Sequence, residues 1–371
     1  MVATNIDAPE IVNVKRSSAS DAIAGAYVVG NLVVYGATLA IAVSDLHMLL
    51  RLVASIFHGF ALIAFYIMGH ECVHRSFFRT RRVNDWVGRF VYGFNWHSVS
   101  LWRQIHNINH HGKTNLKGVD DVWAPFSPEE FRTLPKWRQT LERVFRGPLG
   151  HLCYYQLQYT FTKAIFPIWK DVRPHWRKHM RETAFVFVFG AALIAATLAT
   201  KAAVNPSGSF WAAALFSTVL PFMIWNGFVS FAIYIQHTHP LVHWYDDLEK
   251  WTFHKGQIQG TTDTVIPIRL YPLFDEVIRH TAHHVNPMTP IYRLVEAQEA
   301  LLKQHADIVY WRMNWEEYWR TVRSCKLYDY DRQCWTDFDG VKTSLTLDEV
   351  STAQTNPFRA KIVGEPQASV A

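Results

Sequence analysis

Four stretches of this chain contain no Lys, Arg, Asp or Glu: Ala22 to Val43, Leu52 to Met68, Ala184 to Thr200 and Phe210 to Ile235. Their lengths are 22, 17, 17 and 26 residues, and Leu49 and Leu50 extend the second across Arg51. A helix rises about 1.5 Å per residue and needs roughly 20 apolar residues to cross a bilayer. Helices of globular proteins average about 11–12 residues. The four runs therefore predict transmembrane helices rather than buried helices of a soluble protein. Average composition hides this, since mean hydropathy is only −0.03. Charged residues make up 18% and aromatic residues 15%, which excludes a disordered, collagenous or coiled-coil chain. Four cysteines without a C-x-x-C pair exclude a disulfide scaffold and a zinc ribbon.

The runs come in pairs. Ser44 to Met48 joins the first two and Val204 to Ser209 the last two, so the pattern predicts two helical hairpins with every long segment on one side. The net charge of +6 is unevenly placed. Residues 75–182 hold 19 Lys+Arg against 8 Asp+Glu, whereas residues from 236 onward hold 14 against 18. Arg75, Arg79, Arg81, Arg82, Arg173, Arg177, Lys178 and Arg181 crowd the membrane-flanking ends. Basic flanks mark the cytoplasmic side, so both termini and the middle segment are expected there, with the basic patch against anionic headgroups rather than nucleic acid. The first 20 residues lack the basic start and cleavage site of a signal peptide. Residues 147–170 and 84–97 are expected as helices lying in the interface. Trp86, Trp96, Trp102, Trp169, Trp176, Trp211 and Trp244 are expected near its boundaries. Beyond about residue 340 a loose polar tail is expected.

The 19 histidines are clustered. HECVH sets His70 and His74 four apart at the end of the second run, HNINHH sets His106 four before His110 with His111 adjacent, and HTAHH sets His280 before His283 and His284. QHTH adds His237 and His239 just past the fourth run. Helical residues three or four apart share a face, so each pair can converge on a metal ion. Eight or nine imidazoles exceed the capacity of one ion, which implies two. Spacing does not choose among Fe, Zn, Cu and Ni.

Together these clusters resemble the three histidine boxes of the membrane fatty acid desaturase superfamily, which includes hydroxylases and acetylenases. HECVH resembles the first box, and WRQIHNINHHGKTN (102–115) the second. IRHTAHHVNPMTPIYRLVEAQEAL (278–301) resembles the third box with the stretch that follows it, and QH at 236–237 resembles an extra histidine after the last span. The resemblance covers residues 22–302, taken as the desaturase-like domain between a tail over 1–21 and a C-terminal extension over 303–371. It implies an all-α integral membrane fold with a helical cytoplasmic cap, a non-haem di-iron centre, O₂ as co-substrate and a fatty acyl chain on lipid, CoA or carrier protein. It further implies an inner-membrane or endoplasmic-reticulum setting. The implied metal ligands are His70, His74, His106, His110, His111, His237, His280, His283 and His284, with His237 preferred to His239. No catalytic residue is implied beyond the metal centre.

Two departures from the family pattern stand out. HNINHH has three residues between its histidines, a form shared with membrane alkane hydroxylases, so an alkyl hydroxylase or acetylenase is the alternative outcome. Ile233 stands where some members carry a water-linked asparagine, and Asn226 is too far back to replace it. Glu71, Asp120, Asp121, Asp263, Asn107 and Asn115 are candidates to orient ring nitrogens. Cys72, two residues from His70 and His74, is expected to pack, and the remaining cysteines to be ordinary thiols. Phe57, Phe60, Phe65, Trp225 and Phe228 are candidates for an acyl tunnel, with lipid contact or packing the commoner role. A membrane metal-binding or transport protein is the alternative from another class; a transporter would carry ionisable residues at mid-span, and these spans hold almost none, His58 being the chief exception, which argues against transport. With no haem loop or paired-cysteine iron–sulfur segment, electrons are expected from a separate ferredoxin-like or cytochrome partner.

Overall fold

The computed structural model describes residues 19–148, 150–166, 170–265 and 272–352. They are mostly helical, and four segments are long and apolar enough to cross a membrane: Asp21–Val43, Met48–His74, Val172–Val204 and Phe210–His237. Contacts divide the chain into two compact units interleaved in sequence, one holding 15–107 and 151–231, the other 108–150 and 232–371.

In the first unit, α1 (Asp21–Val43) begins at Ser20, whose hydroxyl accepts from the Ile23 N–H, and ends at Ser44, whose hydroxyl donates to the Ile41 carbonyl. These caps satisfy groups that a helix end leaves bare. Next, α2 (Met48–His74) stops where Arg75 turns left-handed at φ 61° and returns its N–H to Cys72. Two polar pairs fix α1 against α2. Asn31 donates to the Ala61 carbonyl at 3.0 Å, and Thr38 Oγ1 lies 2.9 Å from His58 Nδ1. Helix α3 (Arg81–Gly93) packs on α2, with Tyr92 crossing Gly69 so closely that a Cβ there would lie 2.0 Å from the ring.

The short α4 (Val99–Trp102) runs directly into a π-helix, Arg103–His110. After the amphipathic α5 (Pro128–Thr133) and α6 (Lys136–Phe145) of the second unit, α7 (Trp176–Val204) packs on α1, α3 and α4. The fourth run is broken into α8 (Phe210–Ala214), a π-turn Leu215–Val219 and α9 (Leu220–His237). That turn packs on α1 and α2, and its Phe216 carbonyl accepts from Ser55 at 2.5 Å. Val29 and Val33 on α1 and Val188 on α7 are more than 60% exposed. Such bare apolar faces on helices with internally paired backbones suit hydrocarbon.

The second unit corrects the all-helical expectation. Strand β1 (Thr262–Val265) pairs in parallel with β2 (Val309–Arg312), in register Thr262 to Val309. Between them lie α10 (Pro272–Val277), α11 (His280–Val285) and α12 (Leu294–Gln304). Beyond α13 (Trp315–Ser324), β3 (Leu327–Asp329) and β4 (Cys334–Thr336) form an antiparallel pair. Trp244, Cys325, Tyr328, Tyr330 and Trp335 make a buried core there, so residues 325–335 of the C-terminal extension pack into this unit. Up to residue 352, the loose tail expected beyond about residue 340 is also corrected. Thr336 bridges Lys342 and α14 (Leu347–Thr352) follows, while residues 353–371 lie outside the described set.

Other boundary expectations divide. Trp86, Trp176 and Trp211 are exposed, Trp96 is half-buried, and Trp102 and Trp244 are buried in packed surroundings. Trp169 and residues 1–18 lie outside the described set. The stretch 147–170 is not one helix: a 3₁₀ turn, Gly150–Leu152, precedes a π-helix, Tyr155–Ala164. Residues 84–97 fall mostly within the amphipathic α3.

Candidate metal centre

At the end of α2, His70 and His74 are one turn apart and both buried. His70 Nε2 lies 2.7 Å from His106 Nε2, and the ring centroids of His74 and His106 are 5.0 Å apart. Glu71 Oε1 is 3.3 Å from His70 Nδ1, and its other oxygen accepts from the Ser76 hydroxyl at 2.8 Å. Trp102 stacks on the His106 ring at 5.2 Å. Cys72 is buried where Gly88 of α3 lets the two helices approach, so it packs as expected.

In the second unit, His110, His237, His280 and His284 converge, with one ligand nitrogen from each within 4.8 Å of every other. Nε2 of His280 is 2.9 Å from that of His237 and 3.0 Å from that of His284. An imidazole nitrogen sits about 2.1 Å from a divalent ion, so two at right angles stand about 3 Å apart. The observed separations match that spacing. All four rings are buried and bring nitrogen alone, a set suited to Fe, Zn, Cu or Ni rather than Mg or Ca. Burial and the surrounding imidazoles press His284 well below its ordinary pKa, holding it in the neutral form that offers a lone pair. His111 packs beside these rings, 4.2 Å from His284 and 4.8 Å from His283.

The outer faces of two of these rings are held. Asp120 Oδ2 accepts from His110 Nδ1 at 3.0 Å and from the Asn115 N–H at 2.9 Å, while Oδ1 accepts from Val122 N–H at 3.0 Å. Gln257 Oε1 is 2.8 Å from His284 Nδ1. Such partners fix tautomer and ring orientation. Of the sequence candidates, Glu71 and Asp120 occupy this role geometrically. Asp121 is exposed, and Asp263 pairs instead with Arg279 at 3.1 Å; burial lifts Asp263 to about 6 while the guanidinium opposes the rise. Asn107 donates to the Val73 carbonyl, and Asn115 to the carbonyls of His243 and Gly260.

His239 lies outside the four-histidine set. Its Nδ1 accepts from the Leu241 N–H, its ring faces Trp311 at 5.3 Å, and burial lowers it to about 3. His97, His179, His243 and His254 bond to Tyr155, Ser100, Tyr328 and Asp307 respectively. Sequence reasoning missed Gln257, and it placed Thr114 in the second box without giving it a role. Nothing within its own segment marks Gln257, which reaches His284 across 27 residues and Thr114 across 143.

A sequence model described as fatty acid desaturase matches residues 46–316. The chain belongs to the fatty acid desaturase family. This desaturase is an oxidoreductase of lipid metabolism, as the histidine pattern led one to expect. Relatives from cyanobacteria and plants that it resembles carry desaturase names. It is 28% identical over 278 residues to an sn-1 oleoyl-lipid 12-desaturase of Synechocystis, covering 74% of this chain and 75% of the relative. A second sn-1 oleoyl-lipid 12-desaturase, from Anabaena variabilis, is 28% identical over 75% of this chain and 77% of its own. A chloroplastic omega-6 fatty acid desaturase of Glycine max is 26% identical over 75% of this chain and 63% of its own.

Proposed function

We propose that this desaturase holds two iron ions through His70, His74, His106, His110, His111, His237, His280, His283 and His284. It would use O₂ and external electrons to place a double bond in an acyl chain carried on a membrane lipid. The observation that carries this reading is the buried four-nitrogen set, with Nε2 atoms 2.9 and 3.0 Å apart. When bound, the irons supply the oxidising power that an unactivated C–H bond demands and that no side-chain acid or base provides.

The chain's own residues do the rest. Asp120 keeps the His110 proton on Nδ1, so Nε2 faces inward. Glu71 is placed to do the same for His70. The four rings are buried, which shields their inward nitrogens from bulk water, and burial with the surrounding imidazoles holds His284 in its neutral form. Trp225 and Phe65, both fully buried, suit an apolar passage, whereas Phe57 is 52% exposed and suits lipid.

The names of the cyanobacterial relatives support an oleoyl-lipid substrate and a double bond at position 12. The basic flanks, Arg75 to Arg82 and Arg173 to Arg181, support a multi-pass topology in two hairpins with both termini and the histidine-bearing cap cytoplasmic. The desaturase-like domain would then span 22–302, with the extension from 303 packed into the core around Trp244, and a ferredoxin-like or cytochrome partner would deliver electrons to that side.

The test is expression in a host whose lipids contain oleoyl but no dienoyl chains, followed by lipid mass spectrometry. A new lipid species lighter by two hydrogens supports the reading. One gaining oxygen supports hydroxylation instead, and unchanged lipids with a competent electron donor present contradict both.

A further inference from the structure

Gln257 is a buried amide on a five-residue π-turn, His254–Ile258. Turns of this kind are rare and often sit at functional sites. Its Nε2 donates to the His111 carbonyl at 2.7 Å, and its Oε1 is 2.8 Å from His284 Nδ1. The first bond settles which end of the amide is which, because a carbonyl can only accept. Oε1 therefore faces His284 and can only accept. That forces the His284 proton onto Nδ1 and leaves the Nε2 lone pair facing His280 Nε2 at 3.0 Å.

The Thr114 hydroxyl closes the arrangement. It lies 2.8 Å from the His110 carbonyl, 2.9 Å from Gln257 Oε1 and 3.1 Å from His284 Nδ1. The π-turn itself is anchored, since Thr261 Oγ1 donates to the Gln257 carbonyl at 3.0 Å and lies 2.9 Å from Thr281 Oγ1, from which it can accept. One amide thus joins the backbone of the second histidine cluster to the outer nitrogen of the last histidine of the third.

We infer that Gln257 is a positioning residue that selects the tautomer of His284 and holds the second and third histidine clusters in register for metal binding. The inference rests on the metal reading proposed above. His110 takes a carboxylate at its outer nitrogen, whereas His284 takes a neutral amide. A neutral acceptor fixes the tautomer without adding negative charge beside the ions.

The experiment uses the full chain in detergent, loaded with Co²⁺ or Fe²⁺, comparing wild type with Gln257→Met, Gln257→Glu and Gln259→Leu. Metal per chain, its rate of loss to a chelator, the Co²⁺ visible spectrum and the melting temperature are recorded. Met fills the same volume without hydrogen bonds, so Gln257→Met is expected to lose metal 10- to 100-fold more readily and to change the Co²⁺ spectrum. Glu still accepts from His284 but cannot donate to the His111 carbonyl, so Gln257→Glu should fall between Gln257→Met and wild type. Gln259, which donates to Asp307, is the control from the same segment and should match wild type.

Metal retention and spectrum unchanged in Gln257→Met would overturn the inference alone, as would Gln257→Glu doing no better than Gln257→Met. A wild type that binds neither metal would overturn both this inference and the reading it rests on.

Discussion

Asp120 and His110 are ten residues apart in sequence and meet through a 3.0 Å hydrogen bond between Oδ2 and Nδ1, both side chains fully buried. The same oxygen accepts from the Asn115 N–H, and Asn115 sits at φ 59°, a left-handed conformation that asparagine tolerates. Asp120→Ala removes both bonds and the one that Oδ1 accepts from the Val122 N–H. Metal affinity should fall by about 10- to 100-fold, measured by chelator competition. Asp120→Asn keeps an acceptor for His110 and should lose less.

Gly69 precedes His70 on α2 with the Tyr92 ring lying across it; an added Cβ would stand 2.0 Å from Cδ1 and 2.3 Å from Cε1. Tyr92 is fully buried and has nowhere to move. Gly69→Ala should therefore destabilise the protein by about 1–3 kcal/mol or more and lower metal content by displacing His70. Thermal unfolding in detergent and metal analysis check this.

Thr38 and His58 join two apolar helices through a 2.9 Å contact. Thr38→Val keeps the shape and leaves the imidazole nitrogen without that partner. Polar contacts between membrane helices contribute about 0.6 kcal/mol on average and up to about 1.7, so a loss in that range is expected, with metal content unchanged. A change of metal content would contradict a purely structural role for His58.

Trp335 is fully buried, donates to the Val242 carbonyl at 2.9 Å and packs with Trp244 and Tyr328. Trp335→Ala should cost about 3–5 kcal/mol, seen as a lower melting temperature. A neutral outcome would mean the C-terminal extension is an appendage.

The spans and histidine clusters are legible in the sequence because each is a local pattern: an uncharged run, or histidines spaced by a helical turn. The choice of His237 over His239 follows from position, since α9 continues through His237 and ends there. What sequence could not supply arises between distant segments. The π-turns that carry His106, His110 and Gln257 have no periodic signature. The strands β1 to β4 are three or four residues long, too short to show alternation. Trp102 and Trp244 look like boundary residues by composition, yet Trp102 stacks on His106 and Trp244 closes a core. Gln257 is ordinary until the fold sets it beside His284.

The most direct test of the account is iron content set against turnover in one preparation. Purified wild type, reconstituted anaerobically and supplied with O₂, an electron donor and oleoyl lipid, should hold two irons per chain and yield the dienoyl product. His284→Ala and His70→Ala should each lose iron and all product. Full turnover by either variant, or by iron-free wild type, would contradict it.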